Sequence, residues 1–274
     1  MLKYRASKFT PMGGSAQAAS SLSTKVIIIA MTAALYTVGK AVTGFIPTPF
    51  GVGQFLIGLF IPAYFAVVSE TIPVAIGAGL GTFIGDVLVL APLNETTPFL
   101  SLVAGVPANF IAFLIFGWFV KRYKSWSAFV AAAVCFVTLG NLIAATSVVE
   151  TLALPAGLIL GFVVFWNVGS IPAVIVGVPI LVRATRPMMD RSKILRYRPQ
   201  WGASVSGRQA SVALAFAAVF IALGAALFLG GGSVLPSWSG LSLYFAISAV
   251  IVLVFGPLAN LIAGSKPEAA QPAS

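Results

Sequence analysis

Two charges stand where the chain is otherwise apolar: Lys40, near the end of AMTAALYTVGKAVTGFIP (Ala30 to Pro47), and Asp86, within GLGTFIGDVLVL. Burying either charge alone in hydrocarbon is costly, about 3 kcal/mol at the bilayer centre, so each seeks water, a partner or a ligand. Other polar groups join them in apolar runs: Gln54, Asn109, Asn141, Trp166 and Asn167, with Glu150 close to Asn141 in sequence. A lysine, an aspartate, several carboxamides and an indole can together line a site for a small polar ligand. Each also has a plainer reading. Lys40 can snorkel to the headgroups along its stem. Asp86, with one methylene, cannot reach as far and can instead form a structural bridge with Lys40. A buried carboxamide can simply bond across helices, worth about 0.6 kcal/mol.

Other chemistries lack their residues. The chain has no His and one Cys, Cys135, which is read as a small buried hydrophobe. That disfavours disulfides, thiolate metal cages and histidine base catalysis, and no metal or cofactor is expected. No GxxxxGK[ST] loop, nucleophile elbow or HExxH is present, so neither P-loop ATP hydrolysis nor an enzyme is expected. Any pumping energy must come from an ion gradient or a partner subunit.

The elements that position these groups are membrane helices. Hydrophobic residues form 59% of the 274-residue chain and charged residues 8%, with a mean hydropathy of +1.04. A soluble domain carries about 25% charged residues. The runs are apolar all round rather than alternating, which makes them helices and not barrel strands. Spans are expected at Val26–Ile46, Gln54–Val68, Ile72–Leu90, Leu100–Val120, Trp126–Ala145, Ala156–Val182, Gln209–Leu229 and Leu241–Ala263. The second is short and contains Pro62, so a tilt or break is expected there.

Charge sets the orientation. With the N-terminus inside, the inner segments hold fifteen of the sixteen basic residues, and the outer loops hold none, only Glu95 and Glu150. This asymmetry predicts a multi-pass protein of the cell membrane with both termini cytoplasmic. It also accounts for the net charge of +10 through orientation and anionic lipid, without nucleic acid. The expected organisation is a basic tail at 1–24, a six-helix membrane domain at 25–183, a basic linker at 184–208, a transmembrane hairpin at 209–264 and a tail at 265–274. The linker is read as facing lipid headgroups rather than a partner or nucleic acid.

On this layout Lys40 lies about 22 Å along a helix from Lys25, at 1.5 Å per residue. Asp86 lies sixteen residues beyond Glu70 on a span that also runs outward. Both charges therefore fall in the outer third. Gly77, Gly81 and Gly85 recur at four-residue spacing on that span and permit close helix approach. Asn94-Glu95-Thr96 fits an N-glycosylation sequon on the outer side.

The stretches Ala30-Met-Thr-Ala-Ala34-Leu-Tyr, IPTPFG, AIGAGLGTFIGDVL and TPFLSLVAGVPANFIAFLIFGWFVKRY resemble the substrate-binding S component of an energy-coupling factor (ECF) vitamin transporter. The resemblance covers about residues 20–185. It implies a six-helix bundle that captures a water-soluble vitamin or precursor near its outer face, under the Ile46–Gly53 loop. It also implies partners: a transmembrane T subunit, with Ala30 and Ala34 matching the small-residue contact, and two cytoplasmic ATPase subunits. The absence of His argues against a nickel or cobalt importer. Thiamine, riboflavin and biotin classes stay open, since Lys40 suits an anionic or carbonyl group and Asp86 or Glu150 a cationic one. The alternatives are a proton-coupled secondary transporter with Asp86 as proton carrier, and a membrane enzyme or assembly subunit without transport.

Overall fold

The computed structural model describes residues 20–44, 48, 50, 53–89, 97–189 and 191–199. The expected hairpin at 209–264, residues 1–19 of the expected N-terminal tail, the tail at 265–274, Glu95 and the Asn94 sequon lie outside the described residues, while Leu22 to Thr24 of that expected tail already belong to a helix. Within them the regular structure is all helical. Helix α1 is Leu22–Thr43 and α2 is Phe60–Val68, entered through a 3-10 turn at Ile57–Leu59. Helix α3 is Thr71–Val89. Helix α4 is Thr97–Arg122, with one π-helical turn at Ser101–Gly105. Helices α5 and α6 are Trp126–Thr151 and Leu158–Met189.

Five of these helices (α1, α3, α4, α5 and α6) are long and apolar enough to cross a membrane, which makes this a multi-pass membrane protein. The sixth, α2, is shorter because Gln54 to Leu56 stay non-helical and Pro62 falls in the first turn, where its missing N–H costs nothing. Its residues from Pro62 to Val68 are all buried, so α2 fills the bundle rather than facing lipid. Serines start two helices where the chain needs caps. Ser21 Oγ accepts from the Thr24 amide at 3.3 Å, and Ser125 Oγ accepts from the Ala128 amide at 3.1 Å.

The helices close in the order α1, α3, α4, α5, α6, α2, with α2 returning to α1. The α1–α3 contact is tight because α3 lacks side chains there. A Cβ added at Gly81 would lie 2.8 Å from the Ala33 carbonyl oxygen. One apolar cluster, with Phe113, Phe116 and Phe129, fills the end bearing Lys121 and Arg122, and a second, with Phe55, Phe162, Phe165 and Trp166, fills the other.

Two sequence expectations change. Cys135 is exposed on the outside of α5 rather than buried. In a membrane helix both the core and the lipid-facing side are apolar, so hydrophobicity alone does not separate them. Helix α6 also runs past Val182 to Met189, and Met189 and Leu195 join the apolar cluster. The basic stretch after the last described span thus begins as helix and folds back against the bundle.

Candidate functional site

Gly85 and Asp86 sit one turn from the end of α3, opposite Lys40 in the last turn of α1. A Cβ at Gly85 would lie 2.9 Å from Lys40 Cδ, so the missing side chain is what admits the lysine stem. Lys40 Nζ then donates to Asp86 Oδ1. Both residues are buried, at 4% and 8% exposure. The second carboxylate oxygen, Oδ2, accepts from Ser101 Oγ at 2.6 Å. Ser101 opens the π turn of α4, and such turns widen a helix locally and recur at functional sites. Lys40 also lies 5.9 Å from the centre of the Tyr36 ring.

This cluster forms one wall of a cavity of about 360 Å³. Small-molecule sites run about 300–1,000 Å³. Its polar lining includes Lys40, Gln54, Thr82, Asp86, Ser101, Asn109 and Asn141; its apolar lining includes Leu56, Leu59, Ala108, Val137 and Trp166. Small side chains keep the space open: Ala104, Gly105, Ala112, Gly140 and Ala144 all face it.

Gln54 is the least satisfied of these groups. It is 2% exposed, and neither its Oε1 nor its Nε2 has a hydrogen-bond partner among the described residues. The Trp166 indole N–H, on a residue 6% exposed, likewise has no partner among the described residues. Unmade bonds of this kind cost about 1–3 kcal/mol each and mark a place where a polar partner belongs. Gly53 ties the two residues together. Its φ of 84° suits glycine, and an added Cβ would meet Trp166 Cζ2 at 3.1 Å. The Gly53 carbonyl accepts from the Thr48 amide at 3.2 Å, and Thr48 Oγ1 accepts from the Phe50 amide at 3.3 Å. Phe50 in turn packs on Phe162, with ring centroids 4.8 Å apart. The described part of the Ile46–Gly53 loop is therefore anchored on α6 beside the cavity.

The structure brings Lys40, Asp86, Asn109, Asn141 and Trp166 to one cavity. Asn167 stands behind it: Asn141 Nδ2 donates to Asn167 Oδ1 at 2.8 Å, and Asn167 Nδ2 donates to Thr138 Oγ1 at 3.1 Å. Asn109 Nδ2 donates to the Gly105 carbonyl at 3.0 Å, closing on its own helix. Glu150 is exposed near the end of α5 and does not line the cavity. Ala30 and Ala34 are exposed on α1 and do not line the cavity.

Sequence reasoning missed Ser101 and Thr82. Hydroxyls are common in membrane helices because they can bond back to their own backbone, as Thr82 Oγ1 does to the Ala78 carbonyl at 2.8 Å. The available signal for Ser101 was its place at the start of a span, level with the end of the one that carries Asp86. Comparison with protein-family models, curated proteins and solved structures gave no match.

Proposed function

We propose that the chain is the membrane-embedded substrate-binding subunit of an ECF-type importer, capturing a water-soluble vitamin or precursor near the outer face of the cell membrane. The observation that carries the reading is the cavity at the Lys40–Asp86 end: it has small-molecule volume and, at Gln54 and Trp166, buried polar groups without partners among the described residues. A chain that only needed a stable bundle gains nothing from such groups.

The resemblance of residues 20–185 to S components supplies the rest of the proposal. The orientation is both termini cytoplasmic, which puts the cavity toward the outside. Energy comes from a separate T subunit and two ATPase subunits, because the sequence has no phosphate loop. Ala30 and Ala34 present a small-residue face to the T subunit, consistent with their exposure.

The test is uptake in a host lacking vitamin import, with and without the T and ATPase subunits. Uptake that appears only with all subunits, and disappears with an ATPase-dead partner, is the expected result. Proton-gradient uptake by this chain alone would favour the secondary-transporter reading.

A further inference from the structure

The fixed charges of the cavity cancel. Among the described residues, Lys40 and Asp86 are the only ionisable side chains lining it, and they are bonded to each other. Both Asp86 oxygens are already engaged, Oδ1 by Lys40 and Oδ2 by Ser101. A ligand arriving with net charge would be buried in this pocket with no counter-charge left for it.

What the walls offer is hydrogen bonding, with more donors than acceptors. Gln54 and Trp166 both line the cavity, and the Gln54 carboxamide N–H and carbonyl and the Trp166 indole N–H are buried without a partner among the described residues. Lys40 keeps ammonium protons beyond the one given to Asp86. The backbone geometry at Gly53 holds Gln54 and Trp166 as neighbours. Around them the walls include the planar indole of Trp166 and the small side chains of Ala104, Ala108 and Ala144, against which a flat ring can stack.

We infer, resting on the binding-subunit reading above, that the cavity takes a neutral, flat heterocycle with a carbonyl–N–H edge, such as a lactam, ureide or imide. That edge pairs with the Gln54 carboxamide, which gives and accepts at once, and further carbonyls meet Trp166 and Lys40. Lys40 thus serves a carbonyl rather than an anionic group.

The experiment is calorimetric titration of the full-length protein in detergent with matched probes. These are biotinamide against biotin, riboflavin against riboflavin 5′-phosphate, riboflavin against its N3-methyl derivative, and thiamine as a cation. A neutral member should bind, with its charged counterpart at least about tenfold weaker. If riboflavin is the binder, N3-methylation should cost about tenfold or more, since it removes the edge donor. Gln54→Leu should weaken that neutral probe by about tenfold or more, with an apo melting temperature that holds or rises. The charge comparison on the unmutated protein stands even if the variant folds poorly. Failure of every neutral probe to bind, a charged probe binding as tightly as its neutral partner, or full affinity in a folded Gln54→Leu protein overturns the inference. The binding-subunit reading fails by a separate readout, uptake that needs no ATPase subunit.

Discussion

Lys40 reaches Asp86 by passing over Gly85, the one residue on that face of α3 whose lack of a side chain leaves room for the lysine stem. The pair is buried, and removing one member strands the other. Lys40→Met and Asp86→Asn should each destabilise the apo protein by about 3–5 kcal/mol. The double variant Lys40→Met/Asp86→Leu should recover most of that loss, since it leaves no unpaired charge. Thermal unfolding in detergent measures all three. Equal melting temperatures for the wild type and both single variants would mean that water reaches the pair freely.

Gly81 and Gly85 separate two costs on the same helix. Gly81→Ala would drive a methyl to 2.8 Å from a backbone oxygen of α1, which cannot step aside, whereas Gly85→Ala meets the flexible Lys40 stem at 2.9 Å. Alanine gains up to about 1 kcal/mol of helix propensity at either site. Overpacking against backbone costs about 1–3 kcal/mol. Gly81→Ala should therefore lower the melting temperature, while Gly85→Ala should leave it nearly unchanged and weaken ligand binding. The reverse ranking would show that α1 shifts as a unit.

Most of the described helix layout was legible because apolar runs and the charged residues at their ends are local features. Trp126 starts α5 as expected, and α2 ends at Val68 as expected. Depth matching also brought Lys40 and Asp86 together, since helix rise converts residue counts into height. Rotation about the helix axis was not legible. Cys135 faces outward and Glu150 stays outside the cavity, and with apolar residues on every side no periodicity marks which face is inner. Gln54 lay in view, but its lack of partners is a property of packing and not of sequence.

Topology can be tested at Glu95 and Arg191, for which the charge asymmetry predicts opposite sides. Because Cys135 is exposed, it must first be replaced, and Cys135→Ala should fold normally. In that background, an impermeant maleimide applied to intact cells should label Glu95→Cys and spare Arg191→Cys. Labelling only at the Arg191 position would invert the orientation and put the cavity on the cytoplasmic side.

Ala30 and Ala34 lie on the exposed face of α1, with Met31, Leu35 and Val38 also exposed on that helix. Ala30→Trp and Ala34→Trp should abolish uptake with the T and ATPase subunits present, while leaving ligand affinity and melting temperature within about twofold and a few degrees of wild type. Side chains that touch neither the core nor the cavity can act only through a partner surface. Parallel loss of binding and uptake would mean that the helix has shifted and that the face is merely structural.

The last prediction concerns the opposite end, where the chain after α6 returns to the bundle. The Tyr197 amide donates to the Val68 carbonyl at 3.0 Å, and Arg196 Nη1 donates to Glu70 Oε1 at 2.6 Å. Lys121 Nζ stands 4.7 Å from the Tyr197 ring centre. Burial pushes the Glu70 carboxyl up, but the Ser20 hydroxyl, the Arg196 hydrogen bond and the charges of Arg196 and Lys25 outweigh it and hold it below the ordinary value. The part of this lowering that comes from Arg196 is lost when the segment is released, so the docked state binds fewer protons than the released one. Its contribution to docking is full above the ordinary Glu value of about 4.3 and fades as pH falls through the lowered one. Hydrogen exchange at the Tyr197 amide, corrected for intrinsic rates, should therefore show constant protection near neutrality and progressive loss below about pH 4. Glu70→Gln should lower protection at neutral pH and remove the acid-dependent step. An unchanged acid step in Glu70→Gln would assign the pH response to another group.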